Sequence, residues 1–169
     1  GGETHQYEPT LYAGTTPVHR PEGDDYHLTE DLVDRSIDWI RMQHEVAPDR
    51  PFMMYLTPGA THAPLHVPSD YIAKYRGRFA QGWDAVREEI LERQKKLGIA
   101  PEDTELTPRP EELPAWESLS DGEKQVAERM MEVYAGFLEH TDVQIARLVE
   151  EPSPCRKCWL FCVPGTRPS

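Results

Sequence analysis

Long apolar runs are missing from this sequence: no stretch approaches the ~20 consecutive apolar residues that would span a bilayer. Positive charge is also scarce, with 18 Lys and Arg against 30 Asp and Glu and a net charge of −12. Nucleic acid and an anionic membrane are therefore poor partners, because both would repel such a surface. Cysteine occurs only as Cys155, Cys158 and Cys162. These supply fewer thiols than the tetrahedral ligand set a structural zinc needs, so no metal site is expected there. The opening residues Gly1-Gly2-Glu3-Thr4 have neither a basic nor an apolar region, so they do not read as a signal peptide. A cytoplasmic location is the expectation. Without an initiating methionine, the chain reads as a processed product or a fragment. At 169 residues it has room for one domain, and with 38% hydrophobic residues its own core would be modest.

What the sequence does have is proline, 16 residues of it, and one stretch that organises the rest. Phe52-Met53-Met54-Tyr55-Leu56 is apolar without alternation and is bracketed by Pro51 and Pro58. Such a run fits a strand buried on both faces, as in a parallel sheet flanked by helices. Residues 57–68 follow as a loop stiffened by Pro58, Pro64 and Pro68, and they carry His62 and His66. A loop leaving the carboxyl end of a central strand is where α/β sheets bind ligands.

Upstream, residues 1–27 are rich in turn formers, with one short strand expected near Leu11 and Tyr12. His5, His19 and His27 read as surface or loop residues. Thr29 is the expected cap of a helix over 30–46, whose buried face is Leu32, Val33, Ser36, Ile37 and Ile40. Downstream, Ser69 is placed as the cap of a short helix running to about Tyr75. A second helix covers about Trp83 to Leu97 and stops at Gly98, with Arg87 and its charged neighbours as a solvated face. Residues 99–119 read as an ordered loop pinned by Leu106, Leu113 and Trp116. Ser120 and Glu123 form a capping box for a helix over about 121–150. Its apolar stripe is Val126, Met130, Val133, Phe137, Leu138, Thr141, Ile145 and Leu148, with His140 fixing it to neighbouring loops.

The strand and its loop, Ala60-Thr61-His62-Ala63-Pro64-Leu65, resemble the strand and H-x-P-L loop of the type I sulfatases of the alkaline phosphatase superfamily. The likeness extends to Asp25-Tyr26-His27-Leu28-Thr29-Glu30-Asp31-Leu32 and to Tyr134-Ala135-Gly136-Phe137-Leu138-Glu139-His140-Thr141-Asp142, and is greatest to bacterial arylsulfatases. Residues 1–151 read as the middle part of such a catalytic domain, and 152–169 as an atypical tail outside the resemblance. The fold class implied is α/β, a partial alkaline-phosphatase-like domain, helix-rich, with one central parallel-type strand.

The resemblance also implies a chemistry. In that family a cysteine or serine in C/S-x-P-S-R becomes formylglycine, whose hydrate attacks sulfur beside a calcium held by Asp and Asn. His62 matches the histidine that contacts the sulfate and leaving-group oxygen, and is the one catalytic and substrate-binding residue carried over. His66 is a weaker substrate-side candidate. Trp116 is a candidate wall for an aromatic leaving group, with packing as its competing role. Cys162-Val163-Pro164-Gly165-Thr166 does not complete C/S-x-P-S-R, and the calcium ligands are not found. The implied partner is a small sulfate ester, and the chain alone is expected to be inactive and poorly stable. Two other readings stay open: a non-catalytic acidic interaction domain, and part of a related phosphatase or phosphodiesterase.

Overall fold

In the computed structural model the described residues are 4–151 and the backbone of the strand at 159–162. The chain opens with a hairpin, β1 (Leu11–Ala13) and β2 (Thr16–Val18), antiparallel with Leu11 opposite Val18. The expected strand at Leu11 and Tyr12 is therefore present. Helix α1 (Leu28–Val46) leads to β3 (Met53–Leu56), which is followed by a short α2 (Ser69–Ala73) and by α3 (Gly82–Lys96). A 3-10 turn at Trp116–Ser118 precedes α4 (Asp121–Glu150), and β4 (Trp159–Cys162) pairs in parallel with β3.

Helix α1 is capped by His27, not Thr29: the His27 ring accepts the Thr29 N–H, while Thr29 is buried. The predicted face holds. Val33, Ser36, Ile37 and Ile40 are buried, and Val33, Ile37 and Ile40 make one apolar core with Leu56 of β3 and Leu148 of α4. Trp39 completes it edge-on to Phe52, with ring centroids 5.1 Å apart.

The strand differs from its expectation. Leu56 is buried, but Met53 and Tyr55 are 69% and 64% exposed, so β3 is covered on one face only. The cause is the small sheet: among the described residues β3 has one neighbour, β4, and its core contacts with α1 and α4 run through Leu56 and Met54 on one face. An unbroken apolar run does not distinguish that case from burial on both faces.

Helix α4 begins as predicted, with the reciprocal Ser120–Glu123 capping box. Its expected stripe is buried at Phe137, Thr141 and Leu148 but not along its whole length. Val126, Met130 and Leu138 are more than half exposed, and the polar residues Glu132, His140 and Gln144 join the buried line. The buried carboxylate of Glu132 is held by Arg129 at 2.8 Å and by the Gly77 N–H at 2.8 Å. Burial pushes that carboxyl up, but these bonds outweigh it and keep it below its ordinary range. Thus α4 binds its surroundings through polar groups that periodicity cannot score.

Helix α2 has Pro68 at its cap and no side-chain capping bond from Ser69; it ends at Ala73, short of Tyr75. It lies close on α4 because Gly136 permits it. A Cβ on Gly136 would stand 3.0 Å from Ile72 N and from Tyr71 C, both backbone atoms. Inside a helix Gly→Ala normally stabilises by up to ~1 kcal/mol. Here Gly136→Ala is expected to destabilise by ~1–3 kcal/mol, since α2 must move as a unit. Urea unfolding reads the sign directly.

The segment 99–119 is ordered, as expected, but polar clips do much of the pinning. Arg87 donates to Thr107 O at 2.9 Å, Arg109 donates to Asp84 Oδ1 at 3.1 Å, and the Trp116 N–H donates to Asp84 Oδ2 at 2.9 Å. The charged face of α3 is therefore not merely solvated; Arg87 and Asp84 hold this loop. Trp83 adds a bond from its indole N–H to Pro114 O.

Candidate functional site

The loop that carries His62 leaves the carboxyl end of β3 and is tied down at both ends. Ala60 and Val67 are buried against Phe137 of α4, with Leu65, Tyr71, Ile72 and Val133 packed around them. Between these anchors the His62 N–H donates to Gly59 O at 2.9 Å and the His66 N–H to Pro64 O at 2.9 Å. The peptide bonds Ala60–Thr61 and Ala63–Pro64 are cis. Gly59 lies under Gln6, whose amide would meet a Cβ there at 2.9 Å.

His62 is half-buried, and its Nδ1 lies 2.7 Å from Ala63 O. A carbonyl only accepts, so Nδ1 carries the hydrogen in that bond. The local bond fixes both the tautomer and the ring plane, an arrangement suited to a histidine that donates to a substrate oxygen.

His66 stands in a different role. Its Nδ1 accepts the Gln6 N–H at 3.4 Å, its ring stacks on Tyr7 with centroids 5.6 Å apart, and its carbonyl accepts from His27 Nε2 at 3.1 Å. It therefore links the N-terminal segment to the loop. Trp116 is 4% exposed, edge-on to Trp83 at 4.9 Å, so its ring has little surface to offer a ligand.

Behind the loop lies a cluster that sequence reasoning missed. His27 was expected as a surface or loop residue; it is the cap before α1 and is 2% exposed. With Nδ1 accepting from Thr29 N, its Nε2 must be the protonated nitrogen that donates to His66 O. His140 of α4 is wholly buried, 4.3 Å from the His27 ring and edge-on to Tyr71, and its Nε2 donates to Glu30 Oε1 at 2.8 Å. His140 was expected to fix α4 to neighbouring loops; it fixes it instead to the first turn of α1, through Glu30. Residues 1–27 have no periodicity from which the inward turn of His27 could be read.

Burial holds the His27 pKa down to about 4 from 6.5, with the His140 ring adding to the shift and the His66 carbonyl opposing it. Burial, with His5 beside it, lowers His66 in the same direction. A depressed histidine contributes stability that is complete above pH 6.5 and is lost as pH falls, because the unfolded chain takes the proton first. For His27 the loss from pH 7 to pH 4 is expected to reach ~3 kcal/mol. Urea midpoints at pH 7 and pH 4.5 test this, and His27→Gln should flatten the slope.

Among the described residues, no group of three or more His, Cys, Asp or Glu side chains is gathered to hold a metal ion. They do not fit the carboxylate cage a calcium needs. Cys155 and Cys158 lie outside the described residues, as does the side chain of Cys162, and so does the expectation that they form no zinc site. Also among the described residues, no helix is long and apolar enough to cross a membrane.

Comparison with known proteins supplies what the loop alone does not. The family model described as Sulfatase matches residues 1–163. An uncharacterized sulfatase of Schizosaccharomyces pombe is 33% identical over 146 residues, covering 84% of this chain and 26% of that protein. An arylsulfatase of Klebsiella aerogenes is 31% identical over 127 residues, covering 75% of this chain and 26% of that protein. The chain thus spans about a quarter of the length of the curated relatives it matches.

Proposed function

Since the chain belongs to the sulfatase family, we propose that it is the part of a sulfuric ester hydrolase that presents His62 to an aryl sulfate. The supporting observation is the loop: a histidine held by its own Nδ1 bond, on a backbone anchored at Ala60 and Val67, past the end of a parallel-paired strand. In this reading the His62 Nε2, when protonated, donates to the oxygen that leaves sulfur. The developing phenoxide is thereby neutralised as the S–O bond lengthens. His66 and His27 set the loop's position and do not touch substrate.

The formylglycine nucleophile and the calcium implied by the family are proposed to come from residues other than those described. The described residues hold no fitting metal cluster, and no C/S-x-P-S-R is present in the sequence. The chain alone is accordingly proposed to be inactive. A protein of the relatives' length carrying this segment should release 4-nitrophenol from 4-nitrophenyl sulfate faster than from 4-nitrophenyl phosphate. The reverse preference would assign it to a phosphatase or phosphodiesterase instead. No turnover of either ester would favour an interaction domain.

A further inference from the structure

Three histidines around the His62 loop use the same ring atom in the same way. His66 Nδ1 accepts the Gln6 N–H at 3.4 Å, and His5 Nδ1 accepts the Tyr7 and Glu8 N–H groups at 3.2 and 3.0 Å. His27 Nδ1 accepts the Thr29 N–H at 3.2 Å. Each bond needs a lone pair on Nδ1, so each exists only while its ring is neutral. Imidazolium carries hydrogen on both nitrogens and accepts nothing.

Most of these bonds converge on one short segment, residues 4–8. Its Gln6 is wholly buried, lies against Gly59, and gives its carbonyl to the Leu28 N–H at 2.7 Å, where α1 begins. Tyr7 stacks on the His66 ring and stands edge-on to His27 at 5.4 Å. Gly59 in turn accepts the His62 N–H. The segment therefore holds the His62 loop at two points, Gly59 and His66.

The rings also crowd one another. The centroids of His5 and His66 are 4.3 Å apart, as are those of His27 and His140. Two imidazolium ions at that distance repel, so the closed segment resists protons that an open one would accept. The acids facing the cluster are Glu30 of α1, which His140 binds, and Asp70 of α2, which acts at Tyr7. Burial, then the nearby His5, lowers the pKa of His66. A ring depressed in the closed form stabilises that form above pH ~6.5 and withdraws the support as pH falls. Each proton gained on opening shifts the balance toward the open form by up to about tenfold per pH unit. His5 is exposed and His66 half-buried, so both meet acid before the buried His27.

We propose that residues 4–8 are an acid-released strap on the His62 loop, closed while His5 and His66 are neutral and opened by their protonation. The core of Val33, Ile37, Ile40, Leu56 and Leu148 is apolar and takes no part in the titration. The device is defined by these contacts and does not rest on the hydrolase reading, although it acts on the same loop.

Amide hydrogen exchange of the full chain at pH 7 and pH 5, expressed as protection relative to the unfolded rate at each pH, tests this. Protection of Gln6, Tyr7 and Glu8 is expected to fall at least ~tenfold at pH 5, while that of Ile37 and Ile40 holds. In His5→Gln with His66→Gln, the amide oxygens can accept the same N–H groups without titrating, so the segment should stay protected at both pH values. His66→Lys, charged throughout and unable to accept, should leave it open at both. Circular dichroism on each variant checks that the helices persist. Equal protection of the wild-type segment at the two pH values would overturn the proposal. So would simultaneous loss in the core, a glutamine variant that still opens with acid, or a lysine variant that stays closed at pH 7. Turnover in His62→Ala bears on the hydrolase reading alone, so the two can fail separately.

Discussion

Replacing His62 with alanine is expected to lower turnover of an aryl sulfate by at least ~100-fold in a protein of the relatives' length. That is the usual scale for removing one proton donor or one electrostatic contact to a developing oxyanion. The ring is half-buried, and its Nδ1 bond is to the adjacent residue's carbonyl. The anchors of the loop, Ala60 and Val67, are untouched by the change. Stability should therefore move little while kcat falls. His66→Ala makes the informative contrast. It removes the ring that accepts from Gln6 and stacks on Tyr7, so it should lower the melting temperature and disturb activity only through the loop's position. Wild-type turnover in His62→Ala would remove this residue from the site.

The largest structural effect is expected at Gly82, where α3 begins. A Cβ there would stand 2.1 Å from two atoms of the Trp116 ring and 2.5 Å from a third, and φ is +78°, a conformation that side chains disfavour. Trp116 has nowhere to retreat: it is buried, edge-on to Trp83, and its N–H is bound to Asp84. Gly82→Ala is expected to cost roughly 3 kcal/mol or more, by overpacking together with left-handed strain. It should also free residues 99–119 for proteolysis. Gly98→Ala separates the causes. Its φ is +70° but no atom lies within 4 Å of the added Cβ, so it should show the conformational cost of ~1–2 kcal/mol alone and leave the loop protected. Urea unfolding with tryptophan fluorescence, paired with limited proteolysis, measures both.

How much of this was legible in the sequence depends on which kind of force holds each element. Helix α1 was legible because its core contact is apolar and periodic, from Val33 to Ile40. The start of α4 was legible because a capping box is local chemistry. The buried side of α4 was legible at Phe137, Thr141 and Leu148, but not at Glu132 and His140, polar residues whose partners Gly77 and Glu30 lie far along the chain. The same holds for Asp84 and Arg87, which look like solvated helix charges until the loop at 107–116 folds onto them. Strand β3 was legible as a strand but not in its burial, because burial depends on what covers it and not on its own composition. His62 could be singled out through the family's H-x-P-L pattern and the loop's prolines. Nothing in the spacing of His27 and His140 foretold that their rings lie 4.3 Å apart.

The most direct test of the central claim, that His62 donates to the departing oxygen, is the dependence of kcat/KM on the leaving group. 4-Nitrophenol leaves readily without a proton, whereas phenol needs one, so the benefit of a donor grows as the leaving group becomes more basic. The account predicts that His62→Ala loses several-fold more activity toward phenyl sulfate than toward 4-nitrophenyl sulfate. An equal loss on both esters, or none on either, would contradict it.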